Sequence, residues 1–465
     1  MKRFLSVLII LSIAFMLNAD VLSVKYDKTA LYDAMMKNNT SLRTADADIY
    51  EASLDVKDAN AKYQPSVDLT ISGTYMVEPP IGNITMSSDE IFSSSGTQTV
   101  PGAQNGAYVT LFDGMDNTLY NASLTVTQPV NTWGKINLAS DLYKTVESLQ
   151  GIKKSDLERQ LSAELSTRLD VFAYLDGISE LLEKAKEISS YLLSILEKSY
   201  KSGVIVESEY LEAKVMSMEL DLRASELNME KESNFQTIKT LVGISTLKYE
   251  DIVFEVDDSP LYIYANASYE ELKSYALSSS NLSLQMINKL KSVHEIQEKI
   301  ANRSMYGIPD MAIQVSAQYN TSRLPLAEAG WRQNDNFSLN ITFAMQTTLW
   351  DGGEKISDKA RAESAQNRDS ISYDEALLSI ESVLNENYLG MQNTLVKLDY
   401  YNLKESNLEL LLSNAKLAEQ YGQKGKADIL QCELDIIENS IEIYMAKLGL
   451  ASNVYILGYL VGDNI

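Results

Sequence analysis

The chain has 465 residues, of which 45% are hydrophobic and 22% charged, a composition that can fill a sizeable core and that excludes general disorder. Its net charge of -24 excludes the basic face that nucleic-acid binding requires. One Cys and one His exclude an internal disulfide framework and the usual Cys/His zinc site. We therefore predict no nucleic-acid partner and no metal site.

The N-terminus predicts an export signal. Lys2 and Arg3 precede an apolar run that ends at Leu17, and Ala19 follows shortly after. A basic start, an apolar stretch too short to span a bilayer and a small residue are typical of a secretory signal peptide. We predict that residues 1–19 are this signal peptide, and an uncleaved anchor helix is the alternative.

Long amphipathic helices are predicted for much of the remaining chain. Apolar residues recur at spacings of three and four between Lys135 and Lys201, and a second tract without Pro runs from Glu354 to about Gln420. This period is typical of coiled coils, and a helix of that length would reach roughly 100 Å and would need partner helices. Shorter helices are predicted at about 28–62, 207–242, 268–304 and 427–458.

Four segments, at about 67–75, 123–127, 311–320 and 337–346, instead alternate between apolar and polar residues, which is the period of a β-strand. Each has one apolar face and one almost uncharged polar face, and each approaches the length with which a tilted strand crosses a bilayer. Aromatic residues near their ends fit interfacial girdles, namely Tyr75, Tyr319, Phe337 and Trp350. A soluble sheet with one solvent-exposed face is the alternative, but the matched lengths and the almost uncharged polar faces favour a membrane barrel.

Four strands cannot close a barrel, and open strand edges are not tolerated in lipid. Single-chain barrels begin at about eight strands, so closure requires several copies of the chain. The sequence therefore predicts an oligomer. Each strand pair encloses a segment rich in turn-forming residues, 77–121 and 321–336, and we predict both to be surface loops at one end of the barrel.

The order of elements occurs twice. Each half has a helix, a strand pair, a very long helix, a Gly turn and a shorter helix, and we predict two structural repeats at 20–260 and 261–465. Proline stops a helix and opens an extended segment, whereas Gly permits sharp turns. On this basis we predict junctions between strands and helices at Pro65, Pro129, Gly134, Pro309, Gly352 and Gly353.

These motifs together resemble those of the TolC family of outer-membrane efflux proteins, over residues 25–460. The strand-to-helix motif of that family, its helix-to-strand proline and its tip turn, an aromatic residue followed shortly by Gly, each occur twice in the same order. The matching positions are Gln128-Pro129 with Trp133-Gly134-Lys135, Leu349-Trp350-Asp351-Gly352-Gly353, Pro65, Pro309, Tyr200 with Gly203, and Tyr421 with Gly425.

The resemblance implies a fold that is mainly α with membrane β. Long antiparallel coiled-coil helices would form an α-barrel, and four strands per chain would contribute to a twelve-stranded β-barrel in a homotrimer. It also implies an exit duct in the cell outer membrane, with its helical part in the periplasm. The implied partners are a periplasmic adaptor protein, the inner-membrane transporter of a tripartite efflux pump or type I secretion system, and outer-membrane lipid.

The resemblance further implies that the tip turns lie farthest from the membrane, close the channel and meet the adaptor. In the family an acidic residue shortly after the tip Gly lines the constriction. By position Asp428 matches this acid, Glu209 is its counterpart in the first half, and Glu212 adds to the acidity, whereas a second family acid falls at Gln431. Independently, three copies of Asp428 around one axis would attract cations and oppose closure. The alternative is an ordinary solvated acid in the first helical turn.

The sequence contains no Walker loop, no dinucleotide Gly fingerprint and no metal-helix motif, and we predict neither an enzyme nor a bound cofactor. We interpret His294 as a surface or interhelical residue and Cys432 as half-buried. The alternative function is a trimeric coiled-coil surface or adhesion protein with a membrane anchor. The two Gly turns followed by shorter helices argue against it, because a stalk does not fold back. A soluble exported enzyme is a third alternative, and no convergent polar groups support it.

Overall fold

The structure is a computed structural model, and it describes residues 25–79, 81–87, 108–112, 116–254, 257–305, 307–327, 335–423 and 425–463. The predicted signal peptide and parts of both predicted loops lie outside these residues. The described chain divides into two compact units. One unit is formed by the described parts of Met1–Ser53, Thr145–Val293 and Ala365–Ile465, and the other by those of Leu54–Lys144 and His294–Ser364. Each unit combines segments of both predicted repeats, whose boundaries stay a prediction.

The described elements follow each other in nearly the predicted order. They are α1 (Lys28–Asn38), α2 (Thr40–Ala61), β1 (Ser66–Tyr75), β2 (Ile84–Ser87), β3 (Tyr108–Phe112), β4 (Thr118–Asn131), α3 (Lys135–Lys201), α4 (Glu207–Val242), α5 (Tyr269–Ala276), α6 (Leu282–Met305), β5 (Asp310–Thr321), β6 (Asn336–Gln346), α7 (Glu354–Gln420) and α8 (Lys426–Val461), with 3-10 turns at Tyr249–Asp251 and Ser259–Tyr262. The predicted long helices are confirmed, and both α3 and α7 have 67 residues. Both α4 and α8 have 36 residues.

Two predicted helices are each divided by a buried or half-buried asparagine. The Asn39 Oδ1 accepts hydrogen bonds from the backbone N–H groups of Ser41 and Leu42 at 2.9 and 3.3 Å, and so caps the start of α2. The Asn281 Oδ1 accepts from the Leu284 N–H at 3.2 Å, at the start of α6. A side-chain acceptor at this position satisfies N–H groups that the first helical turn leaves unpaired. The predictions of single helices at 28–62 and 268–304 were therefore wrong.

Helices α4 and α8 each run back along the long helix that precedes them. In the first pair, the Asn234 Nδ2 in the last third of α4 donates to the Arg168 carbonyl in the middle of α3 at 2.9 Å. In the second pair, the Asn439 Nδ2 of α8 donates to the Tyr401 carbonyl of α7 at 3.0 Å. Both pairs are therefore antiparallel, as predicted. Among the described residues, none of the helices combines the length and the hydropathy needed to cross a membrane.

The first of the two units is here called the helical unit. Its apolar clusters show which long helices contact each other. Leu182 of α3 shares a cluster with Leu227 of α4, and Leu192 of α3 shares another with Leu434 of α8. The largest cluster joins α8 to α7. Arg223 of α4 also pairs with Glu438 of α8 at 3.7 Å, so α4 contacts both α3 and α8. Among the described residues no apolar cluster joins α4 to α7, and each of these two helices has exposed apolar residues along one side.

The second unit contains an antiparallel sheet in the order β1–β4–β5–β6. The four predicted strands are confirmed, although β4 begins at Thr118, inside the predicted loop 77–121. That loop also contains β2 and β3, which pair with each other in a separate two-stranded sheet. The loop prediction was wrong at these residues. Two such short segments carry little β-strand pattern, and the long Gly- and Ser-rich stretch between them gives no sign that they pair.

The pairing register gives the four-stranded sheet one apolar and one polar face. Apolar rows across β1, β4, β5 and β6 are Val67-Val126-Val315-Ile341 and Leu69-Leu124-Ala317-Leu339. Polar rows on the other face are Asp68-Thr125-Ser316-Asn340 and Thr70-Ser123-Gln318-Ser338. The apolar side chains are largely uncovered, since Leu69 is 65% exposed and Ile341 is 75% exposed.

Candidate functional site

The two long helices end in turns with the same hydrogen bonds. Gly203 ends α3 with φ of +75° and Gly422 ends α7 with φ of +69°. In both turns the N–H after the Gly donates to the carbonyl five residues earlier, and the Gly N–H donates to the carbonyl three residues earlier, all at 2.9 Å. This is the Schellman motif, which needs the left-handed backbone that Gly adopts without strain. Gly422, and not the predicted Gly425, is therefore the turn residue that corresponds to Gly203.

Gly425 instead begins α8. Its backbone is extended, with φ of −92°, and its N–H donates to the Asp428 Oδ2 at 2.8 Å. A carboxylate in the first turn that reaches back to the N-cap N–H stabilises a helix start. The structure thus gives Asp428 the capping role of the alternative interpretation. The side chains of Asp428, Glu209 and Glu212 are all exposed, so they remain accessible for a second role.

The aromatic residues of the two tip turns differ in their contacts. Tyr200 stacks on Tyr210, with ring centroids 5.4 Å apart and an interplanar angle of 2°, and so joins the end of α3 to the start of α4. Tyr421 at the end of α7 is 79% exposed. The first turn is therefore held by an aromatic pair within the chain, and the second presents its tyrosine outward.

Both long helices begin after two residues with a left-handed backbone. These are Trp133 and Gly134, with φ of +54° and +76°, before α3, and Gly352 and Gly353, with φ of +71° and +94°, before α7. A left-handed conformation strains every residue except Gly, so Trp133 is held there by its surroundings. The predicted junction glycines thus lie at the points where the chain turns from strand to helix.

The predicted junction prolines occupy two kinds of position. Pro65 and Pro309 lie immediately before β1 and β5, where a proline opens an extended segment. Pro129 lies inside β4, beside a register irregularity between Pro129 and Asn131 in the pairing with β5. A proline in a central strand is tolerated at such a bulge because it donates no ladder hydrogen bond. The placement of Pro129 at a junction was therefore wrong by a few residues.

The first junction contacts the residues at which the second half of the chain turns from α6 into β5. The Trp133 Nε1–H donates to the Pro309 carbonyl at 2.9 Å, and the Lys135 Nζ lies 3.0 and 3.1 Å from the two Asp310 carboxylate oxygens. The Arg303 guanidinium donates to the Trp133 carbonyl. Asp310 and Arg303 were missed by the sequence interpretation, because their partners are far away in the chain.

Tyrosine–carboxylate hydrogen bonds cross-link the helical unit. The Tyr455 hydroxyl of α8 donates to the Asp170 Oδ2 of α3 at 2.7 Å, and the Tyr174 hydroxyl donates to the Asp258 Oδ1 at 2.6 Å. Asp258 also binds the Lys447 Nζ at 2.5 Å. The excess of 27 Tyr over 9 Phe is a signal in the sequence that favours such polar aromatic contacts, although it does not identify the partners.

Asp170 is the buried acid of this network, with a 3% exposed side chain. Burial raises the pKa of Asp170 to about 6, and the hydrogen bond from Tyr455 and the nearby Lys28 oppose that rise. Cys432 is half-buried in α8, as predicted. No group of three or more His, Cys, Asp or Glu side chains within the described ranges could hold a metal ion.

No protein-family model matches the amino-acid sequence, and no curated protein does. Solved structures do share the fold. The outer membrane protein VceC from Vibrio cholerae has 16% identity and a TM-score of 0.67, with coverage of 94% of this chain and 96% of that chain. The Campylobacter jejuni outer membrane channel CmeC has 13% identity and a TM-score of 0.68, over 93% of this chain and 85% of that chain.

The open state of the outer membrane channel MtrE from Neisseria gonorrhoeae has 13% identity and a TM-score of 0.62, over 93% of this chain and 88% of that chain. At these identities the likeness is one of fold, and it extends over nearly the whole chain. The chain therefore has the fold of these outer membrane proteins, which is the fold that its resemblance to the TolC family implied.

Proposed function

We propose that this chain forms a passive homotrimeric exit duct in the outer membrane, with its helical part in the periplasm. It would serve a tripartite efflux pump or a type I secretion system, together with a periplasmic adaptor and an inner-membrane transporter. The observation that carries this proposal is the exposed apolar face of the four-stranded sheet, which has an almost uncharged polar face behind it.

That apolar face is suited to lipid. Strands β1, β4, β5 and β6 have 10, 14, 12 and 11 residues, and about 9–11 residues suffice for a tilted strand to cross the hydrocarbon core. Exposed apolar surface is unfavourable in water at about 25 cal/mol per Å², whereas lipid chains remove that penalty. The opposite rows of Thr, Ser, Gln and Asn are suited to a water-filled interior.

The edges of the sheet support assembly from several copies. Among the described residues, β1 and β6 each have one edge without a strand partner. Unpaired N–H and C=O groups are costly in lipid, so β6 of one copy would pair with β1 of the next. Three copies of four strands would give twelve, above the minimum of about eight for a closed membrane barrel.

The outer faces of the helical unit support the same assembly. Exposed apolar residues recur every seven positions along α7, at Leu389, Val396, Leu403, Leu410 and Leu417, and along α4, at Val215, Leu222 and Met229. A seven-residue repeat is typical of a coiled-coil seam. Because no apolar cluster of the described residues joins α4 to α7 within one chain, α7 of one copy would pack against α4 of the next.

The tip turns would close the duct and meet the adaptor. Tyr200, Gly203, Tyr421 and Gly425 would form this end, and the exposed acids Asp428, Glu209 and Glu212 would line the constriction. Three copies of each acid around one axis would concentrate negative charge, which attracts cations and opposes tight closure. The alternative of an adhesive stalk is disfavoured by α4 and α8, which return along α3 and α7.

The first experiment measures the native mass of the chain extracted from outer membranes in mild detergent, corrected for bound detergent, and then its single-channel conductance in planar bilayers. We expect a trimer that conducts ions. A stable monomer would leave the strand edges open and would contradict the barrel. A trimer without conductance would favour the structural or adhesive alternative.

A pair of adjacent cysteine variants tests the orientation of the sheet. In a Cys432→Ser background, Ile341→Cys lies on the apolar face of β6 and Asn340→Cys on its polar face. In outer membranes we expect a water-soluble maleimide to label Asn340→Cys through the interior, whereas a lipid-facing Ile341→Cys should remain unlabelled. Equal labelling of the two neighbours would contradict a lipid-facing apolar side.

A further inference from the structure

The two halves of the chain differ in what their strand-to-helix junctions contact. The first junction consists of residues 132–134. Its Trp133 donates a hydrogen bond to the carbonyl of Pro309, just before β5. Trp133 is 39% exposed, and Ile136 in the first turn of α3 is 9% exposed. This junction therefore partly covers the corner at which the second half turns from helix to strand, where Pro309 and Asp310 are half-buried and Ile308 is 39% exposed.

The second junction, residues 349–353, has the same residue types, but its apolar side chains are far more exposed. Leu349, Trp350 and Ile356 are 90%, 81% and 64% exposed. The turn itself is well held, because the Asp351 carboxylate accepts from the Gly353 N–H at 3.0 Å. Its backbone is thus held in place while its apolar side chains face outward. An exposed apolar patch of this kind is typical of a site that contacts a partner.

The first half has its own corner before β1, which corresponds to the corner at Pro309, and this corner is exposed. It consists of Tyr63, Gln64, Pro65 and Ser66, just before β1, and all four residues are exposed. Strand β4, which leads to the first junction, pairs with β5, which begins at the covered corner. In a closed barrel β6 would pair with β1 of the next copy, so the second junction would meet this exposed corner in the same way.

We propose that the second junction of each copy docks on the corner before β1 of the neighbouring copy, with Leu349, Trp350 and Ile356 packed on Tyr63 and Pro65. The inference rests on the ring closure in the proposed function, and it adds the residues that join the copies at the ends of the strands. The occupant of the exposed junction is thus a second copy of this chain.

The two docking contacts differ in chemistry. The covered corner has Asp310 after its proline, and this carboxylate pairs with Lys135. The exposed corner has Ser66 at that position, and the corresponding Lys355 already donates to the Thr348 carbonyl at 2.9 Å within its own turn. The contact within a chain is therefore ionic and aromatic, whereas the contact between copies would be apolar and aromatic, and insensitive to salt screening.

A cross-linking experiment tests this contact. In the Cys432→Ser background, Gln64→Cys and Leu349→Cys place thiols at the two sides of the proposed contact, and outer membranes are treated with a short bismaleimide. We expect covalent dimers and trimers on denaturing gels. The matched pair Ile308→Cys and Thr132→Cys occupies the corresponding positions of the covered corner, and it should react within one chain and give no larger species.

The outcomes separate this inference from the proposed function. A native trimer in which the matched pair reacts but Gln64→Cys with Leu349→Cys gives no larger species would overturn the docking contact alone. A native monomer would overturn the proposed function.

Tryptophan variants provide a second measurement. Trp350→Ala should lower the temperature at which the detergent-extracted trimer separates into monomers, while the helical circular dichroism of the monomer stays unchanged. Trp350→Phe, which keeps most of the ring area, should recover part of that shift. Separation of the Trp350→Ala trimer at the wild-type temperature would contradict the contact.

Discussion

Leucines have opposite environments in the two units of the molecule. In the helical unit Leu165, Leu384 and Leu450 are completely buried, whereas in the sheet Leu69 and Leu339 are 65% and 62% exposed. The helical unit thus buries these three leucines within one chain, although its helix α7 leaves others exposed, such as Leu403. The sheet does not bury its leucines within one chain, and in the proposed function lipid and further copies would cover them. The difference teaches that one chain combines a unit with a core of its own and a sheet whose apolar face stays uncovered within the chain.

The largest effect is expected from a cavity in the helical core. Leu450→Ala should lower the free energy of unfolding by about 2–5 kcal/mol, because the surrounding residues close such a cavity only in part. Denaturant unfolding in detergent, followed by helical circular dichroism, measures the change. Leu403→Ala on the exposed face of α7 is the matched control, and an equal loss in a monomeric sample would contradict the contrast between the two environments.

A charge on the lipid side of the sheet should have the next largest effect. Ile341→Lys should reduce the yield of membrane-inserted trimer, since a lysine facing the bilayer midplane costs about 2–4 kcal/mol. Asn340→Lys, one residue away on the polar face, should assemble almost normally. The measurement is the fraction of heat-resistant trimer in outer membranes. Equal yields of the two variants would mean that the apolar face is not in lipid.

The buried acid of the helical unit predicts a pH dependence. Because the pKa of Asp170 rises from 3.8 to about 6 on folding, the folded chain binds more protons than the unfolded chain between these values, and stability rises as pH falls through this window. Above pH 6 the buried carboxylate therefore lowers the stability of the fold, and Asp170→Asn should remove this cost of about 3 kcal/mol.

The thermal midpoint should therefore be higher in Asp170→Asn than in the wild type at pH 7.5, and similar at pH 4. The comparison at two pH values is the control, because other carboxylates titrate in both proteins. A difference between the two midpoints that is the same at pH 7.5 and pH 4 would exclude Asp170 as the source.

The smallest effect on stability is expected at the tip. Asp428→Ala removes the acceptor for the Gly425 N–H, and loss of such a cap costs about 1 kcal/mol. Asp428→Asn keeps an acceptor but removes the charge. If Asp428 lines the constriction, both variants should reduce the cation selectivity of the channel in planar bilayers. Unchanged selectivity in both would leave Asp428 with the capping role alone.

Local sequence patterns predicted the helices and strands, but they did not predict contacts between residues that are far apart in the chain. The alternation of residues 337–345 defined β6, and the absence of Pro after Lys135 defined α3. Gly422 and Gly425 lie three residues apart, and no local feature indicated which would end α7 and which would begin α8. Pairs such as Asp170 with Tyr455 are 285 residues apart, so that only the folded chain brings them together.

The asparagine caps were within reach of the sequence. Asn39 and Asn281 begin similar tetrapeptides in the two halves, and an asparagine before an apolar helical repeat is a start signal. The strong helical period on both sides outweighed that signal. The β2–β3 hairpin had no comparable marker, because its strands have 4 and 5 residues and lie far apart in the chain.

The register of the sheet also constrains how this chain can change over generations. Exchange of one aliphatic residue for another on the apolar face preserves both faces, but insertion of a single residue into a strand would turn every later side chain to the opposite side. The register therefore constrains the number and polarity of the residues in these strands more than their identity. Such a rule allows a fold to persist across proteins that share only 16% of their residues.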